Sequence, residues 1–180
     1  MNSNINIALV GNPNSGKSSL FNELTGLKQK VGNFPGVTVD KKTGTCVLNE
    51  KHTANFIDLP GTYSLYPKRA DEWVSYKVLM QQDAEVYPEM IVLVVDASNL
   101  RRNLLFCSQI IDLKIPVVVA LTMMDIAKQK GIKINVPLLA EELNVPVIPV
   151  NPRKQKGVQE IKKAILQEIN KPEQQLPPEF

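Results

Sequence analysis

An apolar run at residues 5–10 leads straight into Gly11-Asn12-Pro13-Asn14-Ser15-Gly16-Lys17-Ser18, and apolar residues then recur at helical spacing through residue 25. This is the G-x-x-x-x-G-K-[ST] pattern set between a strand and a helix, a context that few folds provide. The strand must end where the helix begins, with the connecting backbone wrapped so that its N–H groups converge on an anion at the helix N-terminus. An α/β protein built outward from a buried first strand is therefore expected. In this reading the N–H groups of Asn14, Ser15, Gly16, Lys17 and Ser18 wrap a β-phosphate, with Gly11, Asn12 and Ser19 completing the binding segment. Lys17 neutralises charge on the β- and γ-phosphates, and the Ser18 hydroxyl ligates Mg²⁺.

The rest of the chain repeats the same alternation. Short β-branched runs at residues 53–58, 91–96, 117–121 and 145–150 are separated by amphipathic stretches at 71–82, 103–113, 136–143 and 158–169, the last spacing Val158, Ile161, Ile165 and Ile169 along one face. Buried strands joined by crossover helices make a mostly parallel sheet with helices on both faces. The exception is residues 44–49, which reach the next strand through Asn49-Glu50-Lys51-His52. That link is too short for a helix and predicts one antiparallel strand, paired as a hairpin. Residues 1–170 read as one domain and 171–180, polar and Pro-rich, as a linker or tail, which leaves room for a longer protein of which this is one piece.

Composition narrows the partners. Of 180 residues, 43% are hydrophobic, enough for one sizeable core. Lys and Arg total 21 against 18 Asp and Glu, a net +3 spread along the chain, so charge gives no reason to expect nucleic acid. The longest apolar run, residues 115–121, falls far short of the roughly 20 residues that span a bilayer. The start Met1-Asn2-Ser3-Asn4 lacks the basic and apolar regions of a secretory signal, so a cytoplasmic domain is expected. Cys46, Cys107 and His52, the only histidine, form no ligand pattern, and reduced thiols are expected.

Three further segments complete a nucleotide site. Asp58-Leu59-Pro60-Gly61 ends a strand, so Asp58 is expected to hold Mg²⁺ through water and the Gly61 N–H to sense a γ-phosphate. Between the two anchors lies a Gly- and Pro-containing loop, residues 28–39, expected to be mobile. Its Thr38 closes the Mg²⁺ shell and donates its N–H to the γ-phosphate, with Gly36 beside it, so the loop orders with triphosphate and releases on hydrolysis. After the strand at 117–121 comes Thr122-Met123-Met124-Asp125, in the place of an [NT]-K-x-D pattern. Asp125 there accepts from guanine N1–H and N2–H₂, unless it serves only as a helix cap. Met123 stands where Lys is usual and covers the base face. Asn151-Pro152-Arg153 follows the last strand, where a backbone N–H normally meets guanine O6. Pro152 has no N–H, so either Arg153 or Asn151 substitutes or base specificity relaxes to admit ATP.

The joint pattern GNPNSGKS, VGNFPGVTVD and DLPGTYSL, in that order, resembles the N-terminal GTPase domain of the FeoB ferrous-iron transport family over residues 5–169. The segment Asn33-Phe34-Pro35-Gly36-Val37-Thr38 carries most of that specificity. The resemblance implies a Ras-like six-stranded sheet and a slow, Mg²⁺-dependent GTPase switch binding GTP and GDP. It implies a longer chain too, continuing into a helical GDP-dissociation-inhibitor-like domain and an inner-membrane permease, with homo-oligomers in the full-length transporter and no nucleic-acid partner. It further implies that Asn14 coordinates a K⁺ ion bridging the phosphates; Asn in a left-handed turn explains the same residue without a cation. Departures from the family are Phe34 for Trp, Thr122 for Asn and Asn151-Pro152 for Ser-Ala.

Asn14, Lys17, Thr38 and Gly61 are the candidate catalytic residues. Thr62 stands where Ras-type proteins place a water-orienting Gln, so intrinsic turnover is expected to be slow. A nucleotide-sensing module with negligible hydrolysis is the competing reading. Arg101-Arg102 is better explained as a solvated first helical turn than as a catalytic finger. Tyr63, Tyr66 and Trp73 either move with the nucleotide or pack their helix.

Overall fold

The first strand, β1 (Ser3–Gly11), divides its side chains between two apolar layers. Ile7 and Leu9 face one side and Ala8 and Val10 the other, all fully buried, so β1 is covered on both faces. In a computed structural model that describes residues 2–80 and 87–171, this strand lies at the centre of a seven-stranded sheet. The linker or tail, from residue 172 on, and residues 81–82 of the expected helix lie outside the described residues.

The other strands are β2 (Gln29–Asn33), β3 (Asp40–Val47), β4 (His52–Asp58), β5 (Met90–Asp96), β6 (Val117–Thr122) and β7 (Val147–Pro149), in the order β2-β3-β4-β1-β5-β6-β7. β1 pairs in parallel with β4 and β5, and β6 with β5 and β7. β3 is antiparallel to both neighbours, pairing Gly44 with Phe56 of β4 and Gln29 of β2. It is thus the single strand that runs against the rest, as the short Asn49–His52 turn requires.

Helices cover both faces. α1 (Lys17–Thr25) and α6 (Val158–Ile169) lay Leu20, Phe21, Leu24, Ile161 and Ile165 over Ile7, Leu9, Phe56 and Val92. α2 (Ala70–Leu79), α3 (Leu100–Ile111), α4 (Met124–Gln129) and α5 (Val136–Leu143) cover the opposite face, with Val78, Phe106, Ile110 and Ala127 against Ala8, Val10, Leu93 and Val119. Truncating a fully buried aromatic such as Phe56 to Ala costs about 3–5 kcal/mol, because the site cannot collapse around the void.

Two elements correct the expectation. The sheet has seven strands, not six: β2 occupies half of the loop expected to be mobile, pairing antiparallel with β3 from Gln29 to Asn33. Lys30 through Asn33 are all exposed, so this edge strand has no buried face to give it a hydrophobic signature. The last strand is shorter than residues 145–150, spanning Val147–Pro149, because Pro146 and Pro149 lack ladder donors.

All the parallel strands end on one side. Gly11, Asp58, Asp96, Thr122 and Pro149 mark the carboxyl ends of β1, β4, β5, β6 and β7, where ligands of open α/β sheets bind.

Candidate functional site

At that edge a cleft of about 980 Å³ is lined by residues of four segments: Asn12–Ser19, Gly61 to Asp71, Thr122–Ile126 and Val150–Lys154. The phosphate loop forms its floor. Gly16 caps α1 with φ 91°, a left-handed conformation that a side chain would strain, and Asn14 adopts φ 61°, which Asn tolerates better than most residues. Ser15 N–H donates to the Asn12 carbonyl at 3.3 Å, folding the loop back on itself. From β6 the Thr122 hydroxyl donates to the Ser15 carbonyl at 2.6 Å, with the Val95 carbonyl at 3.1 Å from the same oxygen. The Thr62 N–H donates to the Gly11 carbonyl at 3.1 Å, and a Cβ on Gly61 would lie 3.0 Å from the Pro13 nitrogen, so a side chain there would have to press the loop aside.

Charge is concentrated where α1 begins. The Lys17 ammonium and the Asp58 carboxylate form an ion pair, both side chains about one-tenth exposed. A phosphate at Lys17 and a divalent cation at Asp58 would give each charge its own partner, which suits a nucleotide with Mg²⁺. Ser18, exposed on the cleft wall, supplies the hydroxyl a hard cation favours. Among the described residues no three His, Cys, Asp or Glu side chains converge, so Mg²⁺ here would complete its shell with phosphate oxygens and water. Under the loop, the Asn12 amide and the Ser15 hydroxyl are buried without hydrogen-bond partners, a donor set left to be completed.

The other end of the cleft is set by α4 and the turn after β7. Met123 adopts φ 60° as the cap of α4, and its Cε approaches the floor at Gly16. Asp125 lies in the first turn of α4, exposed on the cleft wall, and α4 has no side-chain cap. Its carboxylate is therefore not spent on capping. Pro152 opens a one-turn 3₁₀ helix, Pro152–Lys154, where its missing N–H costs nothing. Asn151 is engaged: its side chain accepts from Lys154 N–H at 3.3 Å and its backbone pairs with Lys156. The Arg153 N–H, next in the turn, has no carbonyl upstream within the helix to bond.

Residues 5–165 match the family model of ferrous iron transport protein B. The chain belongs to that family. It is 42% identical over 165 residues to the Fe(2+) transporter FeoB of Salmonella typhimurium and 43% identical to that of Shigella flexneri, covering 89% of this chain in each case. It spans about a fifth of those relatives, 21% of their length. The G domain of the T. maritima FeoB superposes with a TM-score of 0.85 at 37% identity, covering 93% of this chain and all of that one. A variant of S. thermophilus NFeoB solved with GDP has a TM-score of 0.80 at 45% identity, covering 89% of this chain and 61% of that one. The fold is thus a Ras-like G domain, with one strand more than expected.

Within this FeoB-family domain the expected residues separate into three sets. Asn12, Asn14, Gly16, Lys17, Ser18, Ser19, Gly61, Thr122, Met123, Asp125, Asn151, Pro152 and Arg153 all line the cleft. Gly11, Ser15 and Asp58 sit directly behind it. Gly36 and Thr38 do not reach it: both are exposed on the turn between β2 and β3, whose Phe34 is buried in the core and carries Lys41 over its ring at 5.7 Å. Tyr66 is 77% exposed and Trp73 49%, so neither is core packing. Arg102 stacks on the Tyr63 ring at 4.0 Å and not in the cleft. Sequence reasoning missed Arg69 and Asp71, which line the cleft from the start of α2 and match no local motif.

The cysteines stand apart from this chemistry. Burial pushes the Cys107 thiol up to about 11, and raises that of Cys46 against the opposing pull of Lys162. Both stay protonated and poorly nucleophilic at neutral pH. No helix among the described residues is long and apolar enough to cross a membrane.

Proposed function

We propose that this chain is the Mg²⁺-dependent, GTP-binding and slowly GTP-hydrolysing switch domain of a ferrous-iron transporter, acting on the cytoplasmic side of an inner-membrane permease encoded by the remainder of a longer protein. One observation carries the reading. A single cleft joins a phosphate loop, with Lys17 lining it and Asp58 paired to Lys17 from behind, to an uncommitted Asp125 carboxylate at the far end.

The residues divide the work. Lys17 and the loop N–H groups bind the phosphates, Ser18 and Asp58 would hold Mg²⁺, and the ion would supply positive charge against that developing on the phosphate. Asp125 selects guanine by accepting from N1–H and N2–H₂, which adenine cannot offer. The Arg153 N–H serves guanine O6 in place of Pro152, so guanine specificity survives the proline. Asn14 would hold K⁺ through its carboxamide oxygen. Thr38 joins when the turn at residues 34–39 closes over a triphosphate, and that closure, with the segment after Gly61, signals to the permease.

A second reading is favoured by Thr62. This residue is 2% exposed and its hydroxyl donates to the Ser64 carbonyl at 2.8 Å, so it cannot orient an attacking water. The domain would then sense nucleotide with negligible turnover.

Phosphate release from GTP and from ATP, each in KCl and in NaCl with Mg²⁺, decides between them. The expected outcome is cleavage of GTP alone, faster in KCl. Comparable ATP turnover would overturn the role given to Arg153, and binding of GDP without turnover of GTP would leave the sensing module.

A further inference from the structure

Beyond Gly61 the chain runs to α2 without strand or helix, and its backbone donors are met almost entirely by side chains. The N–H groups of Ser64, Leu65 and Tyr66 donate to Thr62 Oγ1 at 3.3 Å, Gln109 Oε1 at 2.9 Å and Ser64 Oγ at 3.1 Å. Those of Lys68 and Arg69 share one Glu72 carboxylate oxygen at 2.7 and 3.1 Å, and Pro67 has no N–H. Among the described residues no main-chain carbonyl takes a donor from residues 64–69. A segment fastened in this way can shift without breaking a ladder of backbone bonds.

Thr62, Ser64 and Glu72 belong to the segment itself or to the first turn of the helix that follows it, so their bonds travel with it. From Tyr63 to Arg69, two polar contacts among the described residues cross to another element, and both come from α3. Gln109 takes the Leu65 N–H, and the Arg102 guanidinium stacks on the Tyr63 ring at 4.0 Å. Seven residues apart, Arg102 and Gln109 stand two turns from each other on one face of α3 and meet Tyr63 and Leu65 in the same order along the chain. The conformation they hold is one in which Thr38 is exposed and outside the cleft, so it is the resting one on the reading proposed above. A contact present in one of two conformations and lost in the other biases the equilibrium by its own strength.

We propose that the Arg102–Gln109 face of α3 is a clasp on the switch: it holds residues 63–65 in the resting conformation, and binding of a nucleoside triphosphate has to release it. The proposal rests on the GTP-switch reading. It gives α3, which contributes no residue to the cleft lining, a share in setting how strongly the domain prefers triphosphate to diphosphate. Release uncovers the Arg102 guanidinium and the Tyr63 ring together, so the nucleotide state is legible on α3 as well as along the segment.

The test compares the 180-residue chain with Arg102→Ala, Gln109→Ala and Tyr63→Ala, with the ring-preserving Tyr63→Phe, and with Arg101→Ala, which removes the same charge from the same exposed turn. Fluorescent titrations measure affinity for GDP and for a non-hydrolysable GTP analogue with Mg²⁺, and melting temperatures report folding. Three separate variants break the clasp, so the misfolding of any one leaves the others to decide. GDP affinity is expected within about twofold of the parent throughout, with analogue affinity raised about three- to fivefold in Arg102→Ala, Gln109→Ala and Tyr63→Ala. Arg102→Ala with Gln109→Ala should reach about tenfold or more, whereas adding Tyr63→Ala to Arg102→Ala should add nothing, and Tyr63→Phe and Arg101→Ala should match the parent. Unchanged or weakened analogue binding in the clasp variants, beside a parent that binds both nucleotides, would overturn the clasp and leave the GTP-switch reading intact. An equal gain in Arg101→Ala would reduce the effect to bulk charge, and an equal gain for GDP would remove its selectivity; either overturns the clasp. A parent that binds neither guanine nucleotide would overturn the switch reading itself, and the clasp with it.

Discussion

Between Gly11 and Ser18 the backbone is tied to its surroundings by the Thr122 hydroxyl at 2.6 Å, by Thr62 N–H at 3.1 Å and by the close seat of Gly61 on Pro13. Between Phe34 and Val39 it is held by two backbone bonds of its own, Phe34 N–H to Val39 at 3.0 Å and Val37 N–H to Phe34 at 3.3 Å, and by one buried ring. Both segments are assigned to the same ligand. The first has its donors fixed before anything binds, so little ordering entropy opposes phosphate capture. The second carries Thr38 exposed and outside the cleft, so the role proposed for Thr38 requires a rearrangement that a bound triphosphate would have to stabilise. On the proposed reading, affinity and switching are separated along the chain.

Lys17→Ala should have the largest effect, weakening GDP binding at least about a hundredfold, since a phosphate cation and the partner of Asp58 are lost together. A fluorescent GDP titration measures it. Thr38→Ala should leave GDP affinity within about twofold while lowering GTP hydrolysis about tenfold or more. An equal loss of GDP binding in both variants would abolish the contrast. Gly16→Ala places a side chain at φ 91° at a strain of about 1–2 kcal/mol, so GDP binding should weaken roughly five- to thirtyfold if the loop must hold its shape. Thr122→Val leaves the Ser15 carbonyl without its donor and should destabilise the domain by about 1 kcal/mol, read as a lower melting temperature that added GDP largely restores.

What could be read from sequence follows from how local the determinants are. α1, α5 and α6 begin and end where their apolar spacing predicted, at Lys17–Thr25, Val136–Leu143 and Val158–Ile169. The places of the phosphate loop at the cleft and of Asp58 beside Lys17 were legible because each motif occupies a few consecutive residues at a strand end. β2 was not, because Gln29-Lys30-Val31-Gly32-Asn33 is paired only through its backbone at the sheet edge. α4, two turns long, offers too few residues for a helical period to emerge. Arg69 and Asp71 were invisible for a different reason: their place in the cleft depends on how α2 docks, which no spacing within residues 62–79 encodes. At Asn151-Pro152 the residue pattern showed the missing N–H of Pro152, but the one-turn helix that leaves Arg153 N–H without a partner inside the helix emerges only in three dimensions.

The hydroxyl of Thr122 also fixes a length. It belongs to the strand that leads into Met123 and Asp125, and it is bonded to the carbonyl of Ser15 in the floor of the phosphate loop. The two jaws of the cleft, already carried on paired strands, are thus also fastened to one another at their hinge by a 2.6 Å contact. Such a site works as a caliper. A nucleoside too short to touch both jaws gains the grip of one, and only a ligand whose sugar bridges the full gap engages both at once.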